Sequence, residues 1–340
     1  MAMLVNAYAT LREPPPLEFP HQLRGRRDLS DPDLSEHLSG FAGWIASRRE
    51  EMTAVAFHAI GHVRRVRQHL SLEVEEAHLD ALAAWGWAAN ALLFLPDGTL
   101  RDPSGRVLVD HEGGDPDDEA QLPYPEDACQ RAEATCERLS GLGVPVIGHL
   151  PPGPGLGEVL LRAPAEVARR ALALFAVAVR GESLGGDEPI ALAELRERLP
   201  AAWAALTPWE RAFLDQEDPP RQEVLDATWR YEALAVLLWS LEALPELPFP
   251  RALCDVPRLA RLCLADPARL VDEARLRPAA AILDALDEHY RLHWAVRQAR
   301  LDGVKPAADL EPGVVAERHH ALNWLTRFDE AEWDEVETPT

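Results

Sequence analysis

The sequence predicts an α+β protein in which a small ferredoxin-like α/β sandwich domain precedes a larger all-α helical domain. Apolar residues alternate with period two before residue 110 and recur with helical spacing after Glu126, and an acidic stretch rich in glycine and proline separates the two patterns. We therefore expect an α/β domain over residues 1–110, a linker over 111–127, a helical domain over 128–328 and a frayed acidic tail over 329–340.

The N-terminal elements are expected to follow a β-α-β-β-α-β order with an added hairpin. Residues 3–11 predict a strand, and a capping residue followed by proline predicts a helix over 30–47. Period-two alternation over 55–60 and 70–74 predicts a hairpin, which a helix over 75–91 follows. This order is the split-βαβ pattern, in which two helices cover one face of an antiparallel sheet.

The C-terminal part carries helical spacing almost throughout. Its longest predicted helices are 163–181, 222–244, 277–303 and 312–328. Thr207 followed by Pro208 and Glu210 matches a capping box, so a helix is expected to begin there.

Composition narrows the classes of partner and compartment. The net charge of −23 disfavours nucleic acid and anionic lipid, and it favours a basic protein partner. No apolar run has the length of a membrane helix, and the first residues lack the pattern of a signal peptide. The four cysteines have no metal or redox spacing, so we expect free thiols in the cytoplasm. The oligomeric state stays open.

Five stretches carry a resemblance to a known family. They are RAPAEVARRALALFAVA (162–178), TPWERAFLD (207–215), WRYEALAVLLWSL (229–241), DEHYRLHWAVRQAR (287–300) and EPGVVAERHHALNWL (311–325). Through them, residues 131–328 resemble the bacterial family known as domain of unknown function 4272. The resemblance implies a packed helical domain and brings with it no activity, substrate or cofactor.

Polar residues on three of these helices predict a cluster inside the helical domain. It comprises Glu232, Tyr290, His293, Arg297, Arg318, His319 and Asn323. Because a buried arginine needs a carboxylate, Glu232 is the expected partner of Arg297. The cluster is either a pocket with a histidine base, an arginine anion anchor and an asparagine donor, or a network that fixes helix packing.

Metal and cofactor sites are not expected. His289 and His293 have the i, i+4 spacing of metal ligands, but the glutamate of the HExxH motif is absent, and a solvent-facing His289 is the alternative. No phosphate-binding glycine motif is present. The histidines of the predicted N-terminal hairpin, His58, His62 and His69, form either a site for an anion or a protein strand, or an ordinary solvated sheet face.

Two functional hypotheses follow from these patterns. The first is a non-enzymatic protein-interaction or regulatory module of the immunity type, suggested by the acidic surface and the absence of a specific catalytic motif. The alternative is a hydrolase-like enzyme that uses the Glu/His/Arg/Asn cluster of the helical domain.

Overall fold

The chain divides into two compact units. The computed structural model describes residues 2–48, 50–186 and 189–340. One unit comprises residues 1–130 with 151–159, and the other comprises 131–150 with 160–340. The predicted α+β class is confirmed, since a six-stranded antiparallel sheet with helices precedes a larger helical region.

The N-terminal unit forms its sheet within the first 110 residues. Its elements are β1 (Ala2–Ala9), β2 (Gln22–Asp28), α1 (Asp33–Ala46), α2 (Ala54–Arg64), β3 (Gln68–Glu75), α3 (Leu79–Ala88), β4 (Ala91–Phe94), β5 (Leu100–Arg101) and β6 (Val107–Val109). The strand order is β2-β3-β1-β4-β5-β6. Ala7 of the inner strand β1 aligns with Leu70 of β3 and Leu93 of β4.

Helices cover both faces of this sheet, which differs from the ferredoxin-like expectation. Val5 and Ala7 of β1 pack in one apolar cluster with Leu82 of α3. Tyr8, which points to the opposite face because strand side chains alternate, packs in a second cluster with Phe41 of α1 and with residues of α2. The unit therefore has three layers rather than the two of the predicted sandwich.

The predicted strand over 55–60 is wrong, because this segment lies in α2. The side chain of Thr53 accepts a hydrogen bond from the Ala56 N–H at 3.1 Å and caps the helix. Ala59 and Val63, four residues apart, are fully buried. Small and large apolar residues alternate over this short segment, so its pattern resembles the period of a strand. The Thr53 cap at its start instead favours a helix.

Strand β2 is absent from the sequence-based prediction. It lies at the edge of the sheet, and most of its side chains are exposed. A strand with both faces in water has no apolar alternation, so its sequence carries no period-two signal.

The second unit is helical. Its elements are most of α4 (Glu126–Gly141), α5 (Pro164–Leu184), α6 (Leu192–Arg198), α7 (Pro208–Leu214), α8 (Arg221–Ser240), α9 (Val256–Ala265), α10 (Pro267–Asp272), α11 (Ala279–Leu301) and α12 (Pro312–Leu325). Helix α8 packs against both α5 and α12, and α12 packs against α11. At Gly181 of α5, an added Cβ would lie 2.8 Å from the Cβ of Ala227, so glycine permits the close approach of α5 and α8. Among the described residues, no helix combines the length and apolar character that crossing a bilayer requires.

The predicted capping box at the start of α7 is confirmed. The Thr207 N–H donates to Glu210 Oε2 at 2.9 Å, and the Glu210 N–H donates to Thr207 Oγ1 at 3.2 Å. Glu210 is fully buried, and its other oxygen accepts a hydrogen bond from Arg170 of α5. One carboxylate thus caps α7 and joins it to α5.

The acidic C-terminal segment 329–340, expected to fray, is held against the helical unit. Trp333 is 2% exposed, and its ring lies 4.8 Å from the His320 ring and 5.3 Å from the Trp324 ring. Arg162 donates a hydrogen bond to the Ala331 carbonyl at 2.6 Å. Trp333, together with the buried Val336, therefore provides the apolar burial that an acidic composition does not suggest.

We expect Trp333→Ala to lower the free energy of unfolding of the helical unit by about 3–5 kcal/mol, because it empties a buried aromatic site. Urea denaturation followed by circular dichroism measures the loss. Leu301→Ala is the matched control, since Leu301 is 81% exposed in the same unit. A loss for Trp333→Ala no larger than that of the control would contradict the docking of this segment.

Candidate functional site

Glu232 of α8 and Arg318 of α12 form a buried ion pair. Glu232 Oε2 accepts hydrogen bonds from Arg318 Nε at 3.2 Å and from Nη2 at 3.0 Å. Glu232 Oε1 accepts from the Cys254 N–H at 2.6 Å, and Arg318 Nη1 donates to the Pro248 carbonyl at 2.5 Å. Each oxygen of the carboxylate is thus engaged, and the pair joins two helices to the segment before α9.

Arg297, the predicted partner of Glu232, has another position. It is exposed on α11, and its Nη1 donates to Thr340 Oγ1 at 2.9 Å. The prediction of a buried Arg297 is therefore wrong, and Arg318 meets the carboxylate instead. Spacing along one helix shows which residues share a face but not which neighbouring helix that face meets.

His293 of α11 and His319 of α12 bond to each other. Their Nδ1 atoms lie 2.9 Å apart, so one ring donates its N–H to the other, and the ring of Tyr290 lies 5.8 Å from that of His319. Burial, and to a lesser extent Arg297, lowers the pKa of His293 to about 4. Burial, followed by the neighbouring histidines, puts the pKa of His319 well below its usual value. Both imidazoles are therefore neutral at neutral pH.

The predicted cluster is divided into three groups. The first group is the ion pair of Glu232 and Arg318. The second group comprises Tyr290, His293 and His319. Asn323 is buried and donates from Nδ2 to the Glu337 carbonyl at 2.8 Å, so Asn323 and Arg297 both bind the C-terminal segment.

His289 is buried, which corrects the expectation that it faces solvent. Its Nδ1–H donates to the Ala285 carbonyl at 2.8 Å, and its Nε2 has no hydrogen-bond partner within the described part of the chain. Burial is the main cause that lowers its pKa to about 4. No group of three histidine, cysteine or acidic side chains in the described residues is arranged to hold a metal ion.

The histidines of the predicted N-terminal hairpin do not share a strand face, because His58 and His62 lie on α2. His62 is buried with Nε2 3.0 Å from the Tyr8 carbonyl, and His58 Nδ1 lies 3.1 Å from the hydroxyl of Tyr124. His69 lies on β3 and is also buried. Their order along the chain does not make them one site.

A pocket of about 370 Å³ lies elsewhere in the helical unit. Indole rings of Trp209, Trp229 and Trp333 line it, together with Asp226 and Asp334. The sequence did not predict this pocket, because the bulk of Trp229 indicates a core residue. The usable signal was the spacing of Asp226, Trp229 and Arg230 at i, i+3 and i+4, which places two charges beside one tryptophan on α8.

The pocket already contains one cation. The Arg230 guanidinium lies 5.6 Å from the centre of the Trp209 ring, and its Nη1 lies 3.1 Å from Glu317 Oε2. Burial raises the pKa of Glu317, and the Arg230 charge opposes that rise. His320, also in the lining, has a pKa lowered to about 4, mainly by burial, and is neutral.

Gly313 of α12 keeps the pocket wall in place. A Cβ added there would lie 2.4 Å from Cη2 of Trp229, so any larger residue displaces the ring. Trp229 therefore depends on a glycine of a different helix for its position.

Arg318→Met is expected to lower the free energy of unfolding by about 3–5 kcal/mol, because it leaves the Glu232 carboxylate buried without its partner. Arg297→Ala is the matched arginine control and should change it by no more than about 0.5 kcal/mol, because Arg297 is exposed. Chemical denaturation measures both. A comparable loss for Arg297→Ala would mean that the pairing described above is wrong.

Stability is expected to fall as the pH drops from about 6.5 to about 4. The pKa of histidine is about 6.5 in the unfolded chain, whereas the pKa of His289 in the folded chain is about 4. Between these pH values the unfolded state therefore binds more protons than the folded state, and this proton binding stabilises the unfolded state. His289→Leu removes this contribution and should shrink the loss of stability between pH 7.5 and 5 by on the order of 2 kcal/mol. Denaturation curves of both proteins at the two pH values measure the effect, and an unchanged difference would refute it.

Comparison with known proteins gives one match. The family model described as Domain of unknown function (DUF4272) matches residues 131–336. No curated protein and no solved structure matches the chain. The match covers more than half of the chain and includes the helices that carry both the Glu232–Arg318 pair and the tryptophan-lined pocket. The chain therefore belongs to the family with the domain of unknown function DUF4272.

Proposed function

We propose that this chain is a non-enzymatic protein-interaction module whose helical unit takes a cationic side chain of a partner protein into the pocket of Trp209, Trp229 and Trp333. The observation that carries the proposal is a single pocket in which these rings meet acidic side chains. Trp209 and Trp229 are half-buried and offer ring surface there, whereas Trp333 is 2% exposed and its ring already lies 4.6 Å from the Arg170 guanidinium. Indole faces attract cations through their quadrupole, most strongly where water is excluded.

Charge supports a cationic occupant. Glu317 is paired with Arg230, whereas Asp226 accepts its hydrogen bond from the neutral amide of Gln222 and Asp334 is exposed. The two aspartates add negative charge to the pocket, and the neutral His320 does not offset it. The stacking of Arg230 on Trp209 supports the fit of a guanidinium against these walls.

The partner is proposed to be a protein rather than a free amine. A net charge of −23 attracts a basic protein surface from a distance, and electrostatic steering of this kind raises association rates. Association with a basic partner protein is the activity that a regulatory or immunity-type module requires. The four cysteines form no disulfide with one another, which suits a reducing compartment, so we propose a cytoplasmic setting.

The competing proposal is a hydrolase that uses the Glu232 cluster. Hydrolysis by general base catalysis needs an accessible base beside a nucleophile or a water molecule. Here the carboxylate is bonded to Arg318 and Cys254, and the two histidines are bonded to each other. Burial and Glu232 raise the pKa of the Cys254 thiol, which disfavours its thiolate. The geometry therefore favours the interaction module.

The proposal is tested with two short peptides, acetyl-Gly-Arg-Gly-amide and the same peptide with citrulline in place of arginine. We expect saturable binding of the arginine peptide, measured by ligand-observed NMR with the full chain, and binding of the uncharged peptide that is about tenfold weaker. Equal binding of the two peptides would contradict recognition of a cation.

Matched variants localise the binding. Trp229→Leu should weaken binding of the arginine peptide about tenfold, and Asp334→Asn should weaken it about threefold. Trp203→Leu and Asp302→Asn are the controls, since Trp203 stacks on Arg196 and Asp302 bonds to Gln298 in the same unit. Losses of the same size in the controls would place the binding elsewhere.

A further inference from the structure

The N-terminal unit contains a second pocket that the proposed function does not use. Its volume is about 630 Å³, which lies within the range of sites for small ligands. It opens beside β1, β2, β4 and α1, and the residues that matter most for its chemistry are Tyr8, Arg27, His37, Phe41, Trp44 and Phe94.

One end of this pocket is aromatic. The rings of Phe41 and Trp44 stack nearly parallel with centres 5.4 Å apart, and the ring of Phe94 meets both of them edge-on at 5.3 Å. Phe41 is buried, whereas Trp44 and Phe94 are only half-buried. The Arg48 guanidinium covers part of the Trp44 ring, 5.1 Å from its centre. The trio therefore forms an apolar wall on which the half-buried Phe94 and the remaining surface of Trp44 can take a flat apolar body.

The other end is polar and held in place by neighbours. The Tyr8 hydroxyl lies 3.1 Å from His37 Nε2, and the His69 ring stacks on both Tyr8 and His37 with centres 4.7 Å apart. Asn6 Oδ1 accepts a hydrogen bond from Ser71 Oγ at 2.5 Å and faces His69 Nε2 at 3.3 Å. Because the oxygen of the Asn6 amide is engaged, its NH₂ group is the part that a ligand can use.

Arg27 supplies positive charge at this polar end. Its ion pair within the described chain is a 3.9 Å approach to Asp31, which leaves guanidinium donors for an incoming acceptor. The pKa of His37 is lowered mainly by burial, and the positive charge of Arg27 lowers it further. The uncharged form of the His37 imidazole is therefore favoured.

Two carboxylates, Asp33 and Glu36, also line this pocket. Both are exposed on the first turn of α1, where water and salt screen their charge. These two carboxylates repel a ligand that carries several negative charges. A ligand with a single carboxylate is repelled less, and its carboxylate can bind Arg27 directly.

We propose that this pocket binds a small aromatic monoanion, with the carboxylate of the ligand on Arg27 and the Asn6 amide and its ring against Trp44 and Phe94. The arrangement matches such a ligand at both ends, since an arginine–carboxylate contact is charge-assisted and the aromatic wall takes the apolar body. The site lies wholly within the N-terminal unit and does not depend on the tryptophan-lined pocket of the helical unit.

The test uses the full chain with indole-3-acetate as the probe, and indole-3-acetamide and acetate as its uncharged and non-aromatic counterparts. Isothermal titration calorimetry should give saturable binding of indole-3-acetate, with the amide about tenfold weaker and acetate weaker still. Equal binding of the acid and its amide, or no saturable binding of the acid, overturns the proposal.

Matched substitutions assign the binding to named residues. Arg27→Gln should weaken binding of indole-3-acetate about tenfold. Arg24 lies on the same strand and pairs with Glu73, so Arg24→Gln should leave the affinity within about twofold of the unchanged chain. Trp44→Leu should also weaken it about tenfold, while Trp87→Leu, which is exposed in the same unit, should not.

Two further variants separate this pocket from binding elsewhere on the chain. If Trp44→Leu fails to fold, as judged by its melting curve, Trp44→Phe replaces it and should still weaken binding. Trp229→Leu in the helical unit should bind the probe as the unchanged chain does. Loss of binding in Trp229→Leu, or retention of full affinity in Arg27→Gln, overturns the assignment.

Discussion

The buried pair of Glu232 and Arg318 is the interaction on which the arrangement of the helical unit depends. Both side chains are about 2% exposed, and their remaining hydrogen bonds go to the backbone at Cys254 and Pro248. A charge taken out of water is tolerated only when its partner and its hydrogen bonds are in place. Sliding or turning α12 against α8 would break several of these bonds at once, so the pair sets their relative register.

The rotation of α12 then decides where its neighbours point. Successive helix residues are turned by about 100°, so Arg318, His319 and His320 face three directions. Arg318 meets Glu232 on α8, His319 meets His293 on α11, and His320 meets Trp333 of the C-terminal segment. Three consecutive polar residues thus join three different parts of the unit.

Each unit contains a pocket that is lined by aromatic rings and by charged side chains of both signs. In the helical unit, Asp226 and Asp334 stand beside three indole rings. In the N-terminal unit, Arg27 stands at the polar end of a pocket whose other end is Trp44 and Phe94. Aromatic rings supply the apolar area in both pockets, and in sites of this kind a few placed polar groups set the specificity.

The α+β class, the positions of most C-terminal helices and the capping box at Thr207 could be predicted from residues close together in the chain, because periodicity and caps are local properties. The sequence also identified Glu232, His293 and His319 as buried polar residues of the helical part. Three features could not be predicted in this way. Arg318 rather than Arg297 meets Glu232, helices cover both faces of the sheet, and one pocket is lined by Trp209, Trp229 and Trp333. These depend on which helix faces which, and the free energy of that choice comes from contacts between residues far apart in the chain.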